Sequence, residues 1–221
     1  MAKKSTNRTP LSKNTVLQAA VRLADELGLA TLSMRRLGQA LGVEAMSLYN
    51  HVANKDEILD GIVELVVGEI RLPVPGEEWK EAMRNRAISA REMLLRHPWA
   101  TGIMESRTNP GPVTLRYYDR VIGCLRHADF SIAMAAHAFS VLDSYIYGFA
   151  LQHSKLPFET PEELAVVAEH ILKELPVDQF PHLFEMTTEH VLQPGYNFAD
   201  EFLLGLDLIL NGLERTASSS I

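Results

Sequence analysis

From Val16 to Leu213 the apolar residues return every three or four positions, and no stretch alternates long enough to make a strand. That period confines the chain to helices, because only a helical turn brings such residues onto one face. Gly and Pro divide the pattern into segments. The first runs from Ser12, an N-cap residue, to Gly28, with Val16, Leu17, Ala20, Leu23, Ala24 and Leu27 on its stripe. Two short helices are expected over Ser33 to Leu41, closed by Gly42, and over Glu44 to His51. Asn54 followed by Glu57 has the form of a capping box, opening a fourth helix with Ile58, Ile62, Leu65 and Val66 inward. It should end near Arg71, before Pro73 and Pro75. Further helices are expected at 77–97, 111–128, 131–152, 162–174, 179–192 and 198–216. The fold class is all-α: a small head over 1–53 and a larger body over 54–221, with 54–71 connecting them. Residues 1–12 read as a flexible arm and Ser218 to Ile221 as a frayed tail.

Charge is unevenly spread. The chain carries a net −7, yet residues 1–60 hold eight Lys and Arg against six Asp and Glu, a balance of +2 that leaves −9 for the rest. Lys3, Lys4, Arg8 and Lys13 precede the first acid, Asp25. A basic head on an acidic body suits local anion binding, and equally suits a solvated tail on an ordinary domain. Cys124 is the only cysteine, which excludes an intrachain disulfide and an all-cysteine metal site. No apolar run follows the N-terminal basic residues, so no signal peptide is read. Ile132 to Leu151 contains His137 and Asp143 and reads as a buried helix, not a membrane span. A cytoplasmic location follows from these readings.

Three short helices with a Gly-Val turn before the last form a helix-turn-helix pattern. Gly42 permits the positive φ of a tight turn, and Val43 fills the angle between the helices. Leu37, Leu41 and Leu48 can then face a core, leaving the other side of Glu44–His51 for a major groove.

The run Thr31-Leu32-Ser33-Met34-Arg35-Arg36-Leu37, then Leu41-Gly42-Val43, Ser47-Leu48-Tyr49-Asn50-His51-Val52 and Asn54-Lys55, resembles the DNA-binding head of the TetR family of repressors. The match is continuous from about Val16 to Leu59. Gly38 departs from the alanine usual there, which costs roughly 1 kcal/mol of helix propensity. The resemblance makes Tyr49 and Lys55 phosphate contacts, with the backbone at the start of the fourth helix assisting. Ser33 and Ser47 would serve through their hydroxyls, and His51 would touch phosphate, brace Tyr49 or simply pack. Base reading falls to Arg35, Ala45 and Met46, with Asn50 in reach. Arg35 suits a guanine, and the two apolar side chains suit a thymine methyl. Lys3, Lys4 and Arg8 could follow the backbone or a minor groove as an arm.

The body is more loosely similar to the tetracycline-repressor type, through Glu78-Trp79, Met83-Arg84-Asn85, Leu94-Leu95-Arg96, Phe130-Ser131 and Gly205-Leu206. Proteins of that type are helical dimers that leave DNA when a small molecule enters the body. The pocket positions differ here. Met104 stands in place of a magnesium-binding histidine, Arg86 in place of a drug-contacting asparagine, and Arg71 in place of a pocket histidine. A thioether is a poor ligand for a hard cation, which disfavours tetracycline–magnesium. Two arginines suit an effector with a carboxylate or phosphate, but arginines are mostly exposed, which favours surface or ion-paired side chains. His137, Tyr145 and Tyr147 could line a pocket or simply pack, and Cys124 reads as a small core residue.

The last long helix carries Phe202, Leu206, Ile209, Leu210 and Leu213 on one side, with Leu203, Leu204 and Leu208 beyond it. Like 132–151 it is apolar nearly all round and needs cover on several sides. Two such helices per subunit would form a four-helix homodimer interface, or both could lie in the monomer's core. The expected function is a ligand-responsive regulator, a repressor binding a palindromic double-stranded operator as a dimer, with an activator or metal sensor as alternatives. No enzyme motif, cofactor or metal site is read: there is no phosphate loop, zinc-protease helix or nucleophile elbow.

Overall fold

A computed structural model describes residues 10–158 and 160–219 of the chain, the side chains of Glu105, Ser218 and Ser219 excepted. Lys3, Lys4 and Arg8 lie outside the described residues. Among the described residues there is no strand. The chain forms two compact units, residues 1–139 and 140–221.

The first unit begins with α1 (Lys13–Leu27), α2 (Met34–Leu41), α3 (Ala45–Leu48) and α4 (Lys55–Val67). Local chemistry sets each start. Ser12 Oγ accepts from Thr15 N–H, Ser33 Oγ from Arg36 N–H and Asn54 Oδ1 from Glu57 N–H, so each short polar side chain satisfies a first-turn amide. Gly42 ends α2 in the left-handed region at φ 66°, which turns the chain toward α3. Val43 N–H then donates to Gly38 O at 2.9 Å, closing the turn. Leu37, Leu48, Ile58 and Ile62 are fully buried with Val16 and Ala20, and Trp99 and Ile103 pack against the same cluster. Burial of each large aliphatic side chain contributes about 1.5–3 kcal/mol, so this small core holds the head together.

Three expectations change here. The third helix is one turn, Ala45–Leu48, followed by tighter winding in which Tyr49 and His51 donate to carbonyls three residues back. The fourth ends at Val67, short of Arg71. Glu57 does not complete a capping box on Asn54, because its carboxylate reaches one residue earlier, to Ala53 N–H at 2.6 Å. Gly38 also has a positive reason. A Cβ there would lie 2.8 Å from Val43 O and 3.1 Å from Ala45 N, so its hydrogen admits the α3 backbone.

The unit continues through α5 (Trp79–Arg96), α6 (Ala100–Ile103) and α7 (Pro112–His127). The one-turn α6 was not expected from the sequence; its four residues are too few to show a period. Trp79 meets Phe130 edge-on at 4.8 Å. α8 (Ile132–His153) starts in this unit and crosses into the next.

The second unit holds the rest of α8 with α9 (Pro161–Glu174), α10 (Pro181–Met186) and α11 (Glu201–Ser219). Instead of continuing as one helix to 192, the chain passes after Met186 into a π turn over Thr187–Val191. Tyr145 stacks on Phe202 at 5.4 Å, and Phe149 packs against Phe198 and Phe202. α11 buries Phe202, Leu206 and Leu210 while leaving Leu204 and Leu208 60% and 66% exposed.

Candidate nucleic-acid interface and ligand cavities

Around the Gly42 turn the head divides its side chains by polarity. Leu37 and Leu48 point into the core, while Arg35, Met46, Tyr49, Asn50 and Lys55 are exposed. Met46 is 74% exposed. Ser33, Ala45, Ser47 and His51 are half-buried. Ser33 spends its lone pair on the α2 cap and keeps an O–H to donate. Lys55 is the first residue of α4, so its ammonium sits beside the helix's positive end. The sequence-expected head residues thus lie on three consecutive elements joined by two short turns.

The five ligand candidates do not gather in the same way. Arg71 is exposed and its Nη2 donates to Glu77 Oε1 at 2.8 Å. Arg86 is 0% exposed: Nε and Nη2 both donate to Tyr117 Oη, and the guanidinium lies 5.0 Å from the Tyr117 ring and 5.4 Å from Phe139. His137 is exposed on α8. Tyr145 belongs to the second unit, where its hydroxyl donates to the carbonyls of Glu201 and Phe202. Met104 lines a cavity of about 200 Å³ between α4, the segment 104–111 and α7.

The walls of that cavity also hold α4. Arg107 Nε donates to Asp60 Oδ1 at 2.5 Å and Nη2 reaches Asp56 at 3.4 Å. The hydrogen bond to Asp60 is the main reason the Arg107 pKa is raised; burial opposes it, and the charges of Asp60 and Asp56 add to it. Glu64 accepts from the backbone N–H groups of Val113 and Thr114, at 2.8 and 3.0 Å, and from the Thr114 hydroxyl. A carboxylate of α4 thus caps the N-terminus of α7. A larger cleft of about 730 Å³ lies along the other flank of α7, lined by Pro75, Glu78, Trp79, Arg120, Cys124 and His127 among others. Cys124 is therefore a cleft residue. Burial pushes its thiol pKa up, and the charges of Glu77 and Glu78 add to the rise.

A third junction was also not foreseen. His97 is buried, with Nδ1 2.7 Å from Asp25 Oδ1 and Nε2 3.3 Å from Glu69 Oε1. Trp99 Nε1–H donates to the same Asp25 oxygen at 2.6 Å. Partners 47 to 74 positions apart, as in Asp60–Arg107 and Asp25–Trp99, leave no local spacing signal. Among the described residues no three His, Cys, Asp or Glu side chains gather to hold a metal ion, and no helix is long and apolar enough to cross a membrane.

Comparison with known proteins agrees with this architecture. Residues 16–62 match the model of bacterial regulatory proteins of the tetR family, and 72–217 that of the tetracyclin repressor-like C-terminal domain. An HTH-type transcriptional regulator of Saccharopolyspora erythraea is 36% identical over 147 residues, 66% of this chain and 62% of that protein. The matched part thus spans less than two thirds of that relative's length. The class D tetracycline repressor of Escherichia coli is 30% identical over 210 residues, covering 92% of this chain and 89% of the repressor. The crystal structure of ActR from Streptomyces coelicolor in complex with actinorhodin superposes with a TM-score of 0.75 at 31% identity, over 95% of this chain and 99% of that one. With a buried helix-turn-helix core below an exposed polar face, and both family models matched, the chain belongs to the TetR family of transcriptional regulators.

Proposed function

We propose that this chain is a transcriptional repressor that binds a palindromic operator as a homodimer and releases it when a small molecule enters its body. The observation that carries the reading is the exposed set Met46, Tyr49 and Lys55 on a head whose fold needs none of them for its core. In this reading residues 1–53 are the DNA-binding domain and 54–221 the ligand-binding and dimerisation domain. Tyr49, Lys55 and the α4 amides hold phosphates, helped by Ser33, Ser47 and His51. Arg35, Ala45, Met46 and Asn50 face base edges. One head makes few phosphate contacts, so useful affinity needs two heads on two half-sites. The protein acts as a regulator, not an enzyme, and works in the cytoplasm where its DNA lies.

The effector site is assigned to the cavity beside Met104, because its walls include the ties that hold α4. An anionic group entering there has Arg107 as its cation, in competition with Asp60 and Asp56. Losing that tie lets α4 move, and α4 begins at Lys55 on the DNA face. ActR is solved with actinorhodin, which supports a small organic molecule as effector. A thioether at Met104 offers little to magnesium, so a tetracycline–magnesium complex is not the effector in this reading.

The test starts from a duplex selected out of a random pool by the purified protein, followed by fluorescence anisotropy over a salt series. Lys55→Ala should weaken binding to all sequences and lower the salt slope, whereas Arg35→Ala should relax preference at one base position. If Lys55→Ala leaves both affinity and slope unchanged, the phosphate assignment fails.

A further inference from the structure

The first turn of α4 is closed in an unusual way. In a reciprocal capping box the third helical residue returns to the N–H of the cap residue. Here Asn54 takes its half of the box from Glu57 N–H at 2.8 Å, but Glu57 Oε2 goes to Ala53 N–H at 2.6 Å. Among the described residues nothing accepts from the amides of Lys55 and Asp56, which point from the helix end carrying partial positive charge. The other Glu57 oxygen accepts from Lys13 Nζ at 2.5 Å, bringing the first residue of α1 across 44 positions. A bare carboxylate one turn from a phosphate site would repel the DNA. With Lys13 against it, that charge is balanced.

We propose that Glu57 is a positioning residue for the DNA backbone, pinning Ala53 and with it the turn that leads into the open α4 amides, and that Lys13 is its counter-ion and not a phosphate contact. The inference rests on the DNA-binding reading above. It gives Lys13 a different role from Lys55, although both are exposed lysines on the basic head. Lys55 adds one phosphate contact. Lys13 removes one repulsion.

Four variants separate these roles, measured by anisotropy against the duplex selected by the wild-type protein and a random-sequence duplex, with circular-dichroism melting to confirm folding. Glu57→Ala loses the bond to Ala53 and should weaken binding to both duplexes roughly fivefold, the size of a lost helix cap. Glu57→Gln keeps an amide oxygen for Ala53 N–H without the charge and should bind within about twofold of wild type. Lys13→Met leaves the carboxylate uncompensated and should weaken binding about two- to fivefold. Lys13→Met combined with Glu57→Gln should return to near wild-type affinity with an unchanged salt slope. A merely structural role for the pair does not yield that recovery, since both members of the bridge are gone. The inference is overturned if the double variant stays as weak as Lys13→Met, if Glu57→Ala binds like wild type, or if Glu57→Gln is as weak as Glu57→Ala. A wild-type protein that selects no duplex instead overturns the DNA-binding reading itself.

Discussion

Gly38 carries the tightest constraint on a single residue in the head. Its missing side chain lets the Val43 carbonyl and the Ala45 amide come against α2, and a branched side chain has nowhere to go. Gly38→Val should destabilise the protein by about 1–3 kcal/mol, the usual cost of overpacking, and weaken operator binding with it. Urea unfolding followed by circular dichroism checks the first effect, and an unchanged midpoint would contradict it. Glu57 makes a second residue-level prediction. Its pKa lies below the ordinary 4.5 because Ala53 N–H, and then Lys13, favour the carboxylate. Between the lowered value and 4.5 the unfolded chain holds more protons than the folded one, so stability rises with pH through that window. The contribution is complete above about pH 4.5 and is lost as pH falls through the folded value. Glu57→Gln should therefore show a flatter stability profile on acidification than wild type. Parallel profiles would show that the carboxylate's partners do not matter to folding.

At the scale of elements, α4 matters most. It starts at Lys55, on the proposed DNA face, packs its Ile58 and Ile62 into the head, and presents Asp60 and Glu64 to the cavity beside Met104. Two kinds of tie hold it: the Arg107–Asp60 ion pair and the Glu64 cap on α7. Both Asp60 and Arg107 keep some solvent exposure, so screening limits the pair. Arg107→Ala should cost only about 1 kcal/mol of stability. Its larger effect should be on the effector response, because the variant removes the cation that the effector would draw away. A double-mutant cycle with Asp60→Ala measures the tie directly, and additive effects would show that it carries no coupling. These ties were not legible in the sequence. Helical period reports which face of α4 is apolar, but not which distant backbone amides its polar face will cap.

For the whole molecule, the assembly turns on the exposed leucines of α11. Leu204 and Leu208 are four residues apart on one face, and exposed leucines at that spacing are a ready helix-packing stripe. If this face is the homodimer seam, Leu204→Arg with Leu208→Arg should give a monomer by light scattering. The same protein should lose operator binding by two orders of magnitude or more, since one head is left to one half-site. A dimer that survives both charges would move the interface elsewhere.

Much of this protein was decided by sequence alone. Period and punctuation determined an all-helical chain, and Ser12, Ser33, Gly28 and Gly42 marked the bounds of the first two helices because caps and left-handed turns act within a few residues. The proposed DNA face could be read for the same reason: Ser33 to Lys55 lie within about two dozen positions of one another. The ligand candidates fared differently. Arg71, Arg86, Met104 and His137 looked alike as polar or polarisable side chains at pocket-like positions. Only packing separated an exposed ion pair, a buried guanidinium on Tyr117, a cavity wall and a surface histidine. Likewise the links Asp25–His97, Asp60–Arg107 and Lys13–Glu57 span 44 to 72 positions. No local propensity encodes such pairs. Their carboxylates meet their partners only because the folded core brings distant helices within hydrogen-bond reach, and it is there that tertiary structure decided how the head is held.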